Sequence, residues 1–175
     1  MEMDQFDAMV TKFPSFLRGQ CGLSENTVRV YLADLVPFRS FLAGQGMGLS
    51  DMDRTMTRSY LAWLATVARD GSQGYARVSI ARKLSVLRSF YRFLVQEGLF
   101  RSSPVPSGRS FRVKVEKPLP SFLGQQEVIR LLDAPDDSTP TGMRDRAIME
   151  VLYSCGLRLA EINQLDVPAV NFSRR

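Results

Sequence analysis

Residues 79–98 read SIARKLSVLRSFYRFLVQEG, and the periodicity of this stretch decides the fold class. At about 100° per residue, Ile80, Leu84, Leu87, Tyr91 and Leu94 fall on one stripe, with Val86, Phe90 and Phe93 beside it. A helix apolar over most of its circumference must be packed on several sides. Ser79 is placed to cap its start and Gly98 to stop it. What remains is a narrow strip of Arg82, Ser85, Arg88, Ser89 and Arg92, with no acidic residue along it.

Three further helices are available upstream to cover that apolar surface. Met3, Phe6, Met9, Val10, Phe13, Phe16 and Leu17 recur at helical spacing, with Pro14 expected to kink or divide the element. Ser24 or Asn26 caps a second helix carrying Val28, Tyr31, Leu35, Phe38 and Leu42, with a bend expected at Pro37. GQGMG at 44–48 reads as a flexible connection, since it lacks the Lys-Ser/Thr step of a phosphate loop and follows no strand. A third helix is expected over 53–71, ending at Gly71 and carrying Met56, Tyr60, Leu61, Trp63, Leu64 and Val67. The expectation is an all-α chain whose first 100 residues form a four-helix domain.

The charge is concentrated in one window. Residues 71–117 hold ten basic side chains against Glu97 and Glu116, while the flanking segments are slightly acidic. Such a window points to a polyanion, most often nucleic acid, although a solvated face is the alternative that charge alone leaves open. The arginine and serine strip suits a major groove, where guanidinium groups grip phosphates or guanine edges and short serines permit close approach. Arg77, Arg82, Lys83, Ser85, Arg88, Ser89, Arg92, Arg112 and Lys114 are the candidate DNA contacts.

Residues 99–120 contain four prolines and four serines among basic residues, with no helical period. This reads as a basic linker, assigned to 101–119, with a second domain over 120–175. Within that domain a short helix ends before Pro135. A longer one buries Ile148, Val151, Leu152 and Cys155, and a third turns Ile162 and Leu165 inward. Pro168 and its β-branched neighbours hint at a strand. About 55 residues are too few for a self-sufficient core, so this part is expected to be loosely ordered or covered by a partner, with Ile148, Leu152 and Ile162 lacking contacts.

Several function classes drop out. The chain contains no histidine, which removes His-dependent nucleophilic catalysis and His-based metal sites from these residues. Cys21 and Cys155 fit no disulfide or zinc spacing, and no metal or other cofactor is implied. No apolar run is long enough to span a bilayer, and the acidic, amphipathic start is unlike a signal peptide, so no membrane role and a cytoplasmic location are expected.

GMRDRAIMEVLYSCGLRLAEINQLDV, residues 142–167, resembles the first catalytic box of the tyrosine recombinases, the phage-integrase family. LSENTVRVYLADLVPFRSFL and SIARKLSVLRSFYRFLVQEGLFRSSP are similar to that family's N-terminal core-binding (SAM-like) helices, with the Xer-type site-specific recombinases the best match. KPLPSFLGQQEVIRLLDAP resembles the approach to its catalytic domain. The resemblance runs through nearly the whole chain in family order. It implies enzymes that clamp duplex DNA, cut and rejoin it through a 3′-phosphotyrosine link, and assemble with another recombinase subunit as a tetramer on DNA. It places Arg158 as the first arginine of the catalytic set and Glu161 as its support, three residues on. A bidentate guanidinium suits charge developing on non-bridging phosphate oxygens, and Gly156 would let the backbone turn to present it.

Cys155 and Ala160 replace the more common threonine and serine. The family's lysine hairpin, histidine–arginine box and nucleophile all lie beyond these boxes. The five tyrosines, at 31, 60, 75, 91 and 153, lie on faces that read as packed, so these residues are expected to bind DNA without cleaving it. Two other readings stay open: a non-catalytic DNA-binding protein made of the clamp half, and a helical interaction module with no nucleic-acid role.

Overall fold

Aromatic side chains supply much of the interior that the helical stripes foreshadow. The computed structural model describes residues 2–69, 72–108, 111–115, 119 and 121–170. The chain divides into two compact units, Met1–Lys117 and Pro118–Arg175. Among the described residues the fold is all-α apart from one hairpin of two-residue strands.

The first unit contains α1 (Glu2–Gly19), α2 (Glu25–Gln45), α3 (Arg54–Thr66), β1 (Ala68–Arg69), β2 (Ser72–Gln73) and α4 (Arg77–Gln96). α4 packs against each of the other three helices, as its wide apolar surface demands. Phe13 meets Phe90 edge-on at 5.2 Å between ring centroids, and Phe38 meets Tyr60 in the same way at 5.2 Å. Trp63 is half-buried against Phe41 and Tyr60.

Pro14 and Pro37 divide neither helix. Each proline removes one backbone donor, but Phe13, Phe16 and Leu17 around the first, and Leu35, Phe38 and Phe41 around the second, are buried, and this packing outweighs the missing bond. Ser24 is the cap of α2: its hydroxyl accepts from the Thr27 amide. The chain is anchored directly after the connection at 44–48. Leu49 and Met52 are buried, and Tyr91 donates its hydroxyl hydrogen to the Leu49 carbonyl at 2.9 Å.

Two boundaries differ from expectation. α3 ends at Thr66, short of Gly71, because the chain reverses through the β1–β2 hairpin and returns to the end of the helix. Gly74 donates to Val67 O at 2.9 Å and Tyr75 to Leu64 O at 2.8 Å. Gly74 has φ +75°, and a Cβ there would lie 2.1 Å from Ala65 O, so only glycine fits. α4 starts at Arg77, before Ser79, and Ala76 offers no side-chain cap.

The basic segment after α4 does not run free. Val105 and Phe111 are buried in the first unit's core, and Val113 packs against it.

The second unit contains α5 (Gln125–Leu132), α6 (Pro140–Cys155) and α7 (Leu159–Asn163). Thr139 caps α6, its hydroxyl accepting from Gly142 N at 3.0 Å, with Pro140 at the first helical position. Arg146 ties α6 to the preceding turn through Asp133 and Asp137, each at 3.2 Å. Burial of Ile148, Val151, Leu152, Cys155, Ile162 and Leu165 is corrected. Ile148, Cys155 and Leu165 are exposed and the other three are only half-buried, because three short helices offer too little partner surface. The strand expected near Pro168 is a 3₁₀ turn, Val167–Ala169.

Candidate nucleic-acid interface and the Gly-Leu-Arg step

The polar strip of α4 is less uniform than its sequence implies. Arg77 and Arg92 are exposed. Arg82 is half-exposed and donates from Nη1 to Asp34 Oδ2 at 2.5 Å, so the strip does meet an acidic partner, supplied by α2. Lys83 is 5% exposed. Its ammonium donates to Asp34 Oδ1 at 2.7 Å and lies 4.5 Å from the Tyr75 ring centroid. The expectation that Lys83 meets DNA is therefore corrected: its charge faces inward, compensated by a buried carboxylate.

Ser85 is exposed, with its hydroxyl donating to Ala81 O, and Ser89 is half-buried. Arg88 is turned towards the segment that follows α4. Its Nε–H donates to Pro106 O at 2.8 Å and Nη2 donates to Phe111 O at 2.7 Å. Burial, and then the nearby charge of Arg112, lower its pKa from the ordinary arginine value.

These contacts hold the segment beside α4 and leave an open groove of about 690 Å³, lined by Ala81, Leu84, Ser85, Arg88, Arg112 and Lys114 among others. Arg112 and Lys114 are exposed on it. A second cleft, of about 430 Å³, brings Arg92 together with Arg88, Ser103 and Ser107. Arg58 on α3 adds a cation, its guanidinium carbon 5.9 Å from the Phe111 ring centroid.

Sequence reasoning missed Arg58 and Asp34. Nothing in the pattern of α3 marks Arg58. Asp34, however, lies three residues after Tyr31 and four before Phe38, in register with an apolar stripe. Lys83 has the same relation to Ile80 and Leu87. Two opposite charges, each in register with a buried stripe, are a readable sign of an internal pair.

In the second unit the Gly-Leu-Arg step separates two helices. α6 stops at Cys155, and Gly156 takes the left-handed conformation (φ +63°), with its N–H donating to Leu152 O at 3.0 Å. Arg158 then caps α7 in extended backbone. Its own N–H donates to Glu161 Oε2 at 2.7 Å and its Nη1 to Glu161 Oε1 at 2.9 Å. One carboxylate thus fixes both the backbone and the side chain of the arginine. The Arg158 side chain is 85% exposed, leaving most of its donors available.

Among the tyrosines, Tyr60 and Tyr91 are buried, and burial pushes both phenols up. Tyr153 departs from the packed face assigned to it, at 63% exposed. Among the described residues no group of His, Cys, Asp and Glu could hold a metal ion, and no helix is long and apolar enough to cross a membrane.

The family described as phage integrase, N-terminal SAM-like domain, matches residues 10–98, and the phage integrase family matches residues 121–175. The chain is similar to tyrosine recombinase XerD of Pseudomonas aeruginosa, at 37% identity over 93% of this chain and 52% of the relative. It is similar to tyrosine recombinase XerC of Myxococcus xanthus, at 39% over 99% of this chain and 55% of the relative. A third relative, tyrosine recombinase XerC of Oceanobacillus iheyensis, is 34% identical over 98% of this chain and 54% of its own length. The chain spans about half the length of these curated relatives. No solved structure matches it. The SAM-like match on the four-helix unit and the integrase match on the segment carrying the Arg158 step agree with the geometry, and the chain belongs to the phage-integrase family of tyrosine recombinases.

Proposed function

We propose that this chain binds duplex DNA as the N-terminal half of a site-specific recombinase of the bacterial cytoplasm. The observation that carries the reading is the exposed cationic surface of the first unit. Arg77 and Arg92 stand on α4, and Arg112 and Lys114 lie on the segment held beside it. Such a surface fits a phosphate backbone, and Ser85 leaves room for the duplex to approach. In this reading residues 1–100 are the core-binding domain, 101–119 form a basic strap, and 120–175 open the catalytic domain.

Arg158 is proposed as the cation that meets the reacting phosphate, with Glu161 as its positioning partner. A guanidinium fixed before substrate arrives loses less side-chain freedom on binding. It places parallel N–H donors where negative charge grows during phosphoryl transfer. On DNA the chain would act beside another recombinase subunit.

Duplex binding against salt tests the reading. Several phosphate contacts give a steep negative slope of log K on log salt, and each cation removed lowers the slope by about one. Arg92→Ala and Arg112→Ala are expected to do so. A flat slope, or no binding at low salt, overturns the DNA reading.

A further inference from the structure

We infer that Arg88 acts as a positioning residue: it fastens the post-α4 strap to α4 and thereby sets Arg112 and Lys114 for phosphate. The inference rests on the DNA-binding reading above and assigns Arg88 a part in it different from a direct contact.

The geometry separates the two roles. A phosphate-gripping arginine keeps its fork open, whereas Arg88 directs Nε and Nη2 to two main-chain carbonyls five residues apart, at 2.8 and 2.7 Å. Those carbonyls belong to Pro106 and Phe111, and each has an apolar anchor at or beside it: Val105 and Phe111 are both buried. The guanidinium therefore closes the polar side of a strap whose apolar side chains are already seated. Arg112 follows Phe111 directly and Lys114 lies two residues further, both exposed on the groove opposite Ser85.

The choice of arginine follows from the same geometry. Its planar fork can satisfy two separate carbonyls at once, and a lysine ammonium on a flexible stem cannot hold both with that rigidity. Without the fork the Pro106 and Phe111 carbonyls would lose this donor. A strap free to shift would present Arg112 and Lys114 over a range of positions, and the cost of ordering them would fall on binding.

The test uses the whole chain and a labelled mixed-sequence DNA duplex, with Arg88→Ala, Arg88→Lys and Arg112→Ala singly and Arg88→Ala with Arg112→Ala together. Amide hydrogen exchange over 105–115 is followed in parallel. Arg88→Ala is expected to weaken binding about tenfold and to lower the salt slope by about two, more than one lost contact explains. Arg112→Ala adds little on that background. Arg88→Lys, which keeps the charge, falls with Arg88→Ala, and both speed exchange over the strap. Additive losses, or an Arg88→Lys variant that binds like wild type, would make Arg88 an ordinary phosphate contact and overturn the inference. Unchanged exchange in Arg88→Ala overturns it equally. Failure of the wild-type chain to bind duplex at low salt is a different result: it sinks the DNA-binding reading, and the inference with it.

Discussion

Lys83 Nζ and Asp34 Oδ1 lie 2.7 Å apart with both side chains almost sealed from solvent, which joins α4 to α2 through an ion pair inside the first unit. Arg82 Nη1 approaches the other oxygen of the same carboxylate from the surface. The arrangement is asymmetric, since Asp34 has two cations and Lys83 has one carboxylate.

That asymmetry predicts unequal losses. Asp34→Ala strands the buried ammonium and should cost about 3–5 kcal/mol of unfolding free energy. Lys83→Met should cost less, because Arg82 still faces Asp34. Joint replacement, Asp34→Leu with Lys83→Met, should recover much of the loss. Urea denaturation of the three variants checks the order, and equal costs for the two single changes would refute it.

Two buried tyrosines should respond oppositely to loss of their hydroxyls. Tyr91 donates to Leu49 O, so Tyr91→Phe should cost about 1 kcal/mol. The Tyr60 hydroxyl has no hydrogen-bond partner among the described residues, so Tyr60→Phe should be neutral or stabilising. Thermal melts of the pair decide it, and a clear loss for Tyr60→Phe would reveal a partner for that oxygen.

Gly74 and Gly156 both have positive φ but differ in surroundings. Nothing lies within 4 Å of a Cβ built at Gly156, so Gly156→Ala should cost only backbone strain, about 1 kcal/mol. At Gly74 the added methyl also meets Ala65 O, and Gly74→Ala should cost about 2–4 kcal/mol. Circular dichroism melts measure both, and a smaller loss at Gly74 would contradict the close approach.

Two surface pairs set an acid limit. The Arg39 guanidinium holds the Asp7 carboxyl below its ordinary value, and Arg18 does the same for Glu25, in both cases chiefly by hydrogen bonding. A carboxylate whose pKa is lower folded than unfolded contributes stability that is present above the unfolded value and lost as pH falls through the folded one. Both pairs are exposed, so the contribution is small and screened by salt. Carboxyl titration by NMR should place Asp7 below the ordinary aspartate value, and Arg39→Ala should return it there. A midpoint unmoved by Arg39→Ala would show that the pair does not persist in solution.

The sequence carried the helices of the first unit because each buries a continuous stripe, and period alone identifies such a face. α4 illustrates both the reach and the limit of that signal. Its apolar side was legible, but its cations were sorted by residue type rather than by register, which grouped Arg92 in solvent with Lys83, in step with Ile80 and Leu87 against a buried aspartate. The strap was harder still. It has no period: Val105 and Phe111, which anchor it, look like any apolar side chains in a loop, and the Arg88 fork that bonds two of its carbonyls is not marked by spacing. In the second unit, period told which side of α6 is apolar but not whether anything covers it. The Arg158–Glu161 bond was legible from spacing, whereas the break of helix at Gly156 that converts Arg158 into a cap needed the backbone.

The position of Trp63 has a practical consequence. It is the only tryptophan of the chain and sits in the first unit against Phe41 and Tyr60. Fluorescence excited selectively at tryptophan therefore reports on the four-helix unit, since the second unit carries Tyr153 but no tryptophan. Ellipticity at 222 nm sums the helices of both units. A fluorescence transition that lags behind the ellipticity transition would give the stability of each unit separately, without cutting the chain.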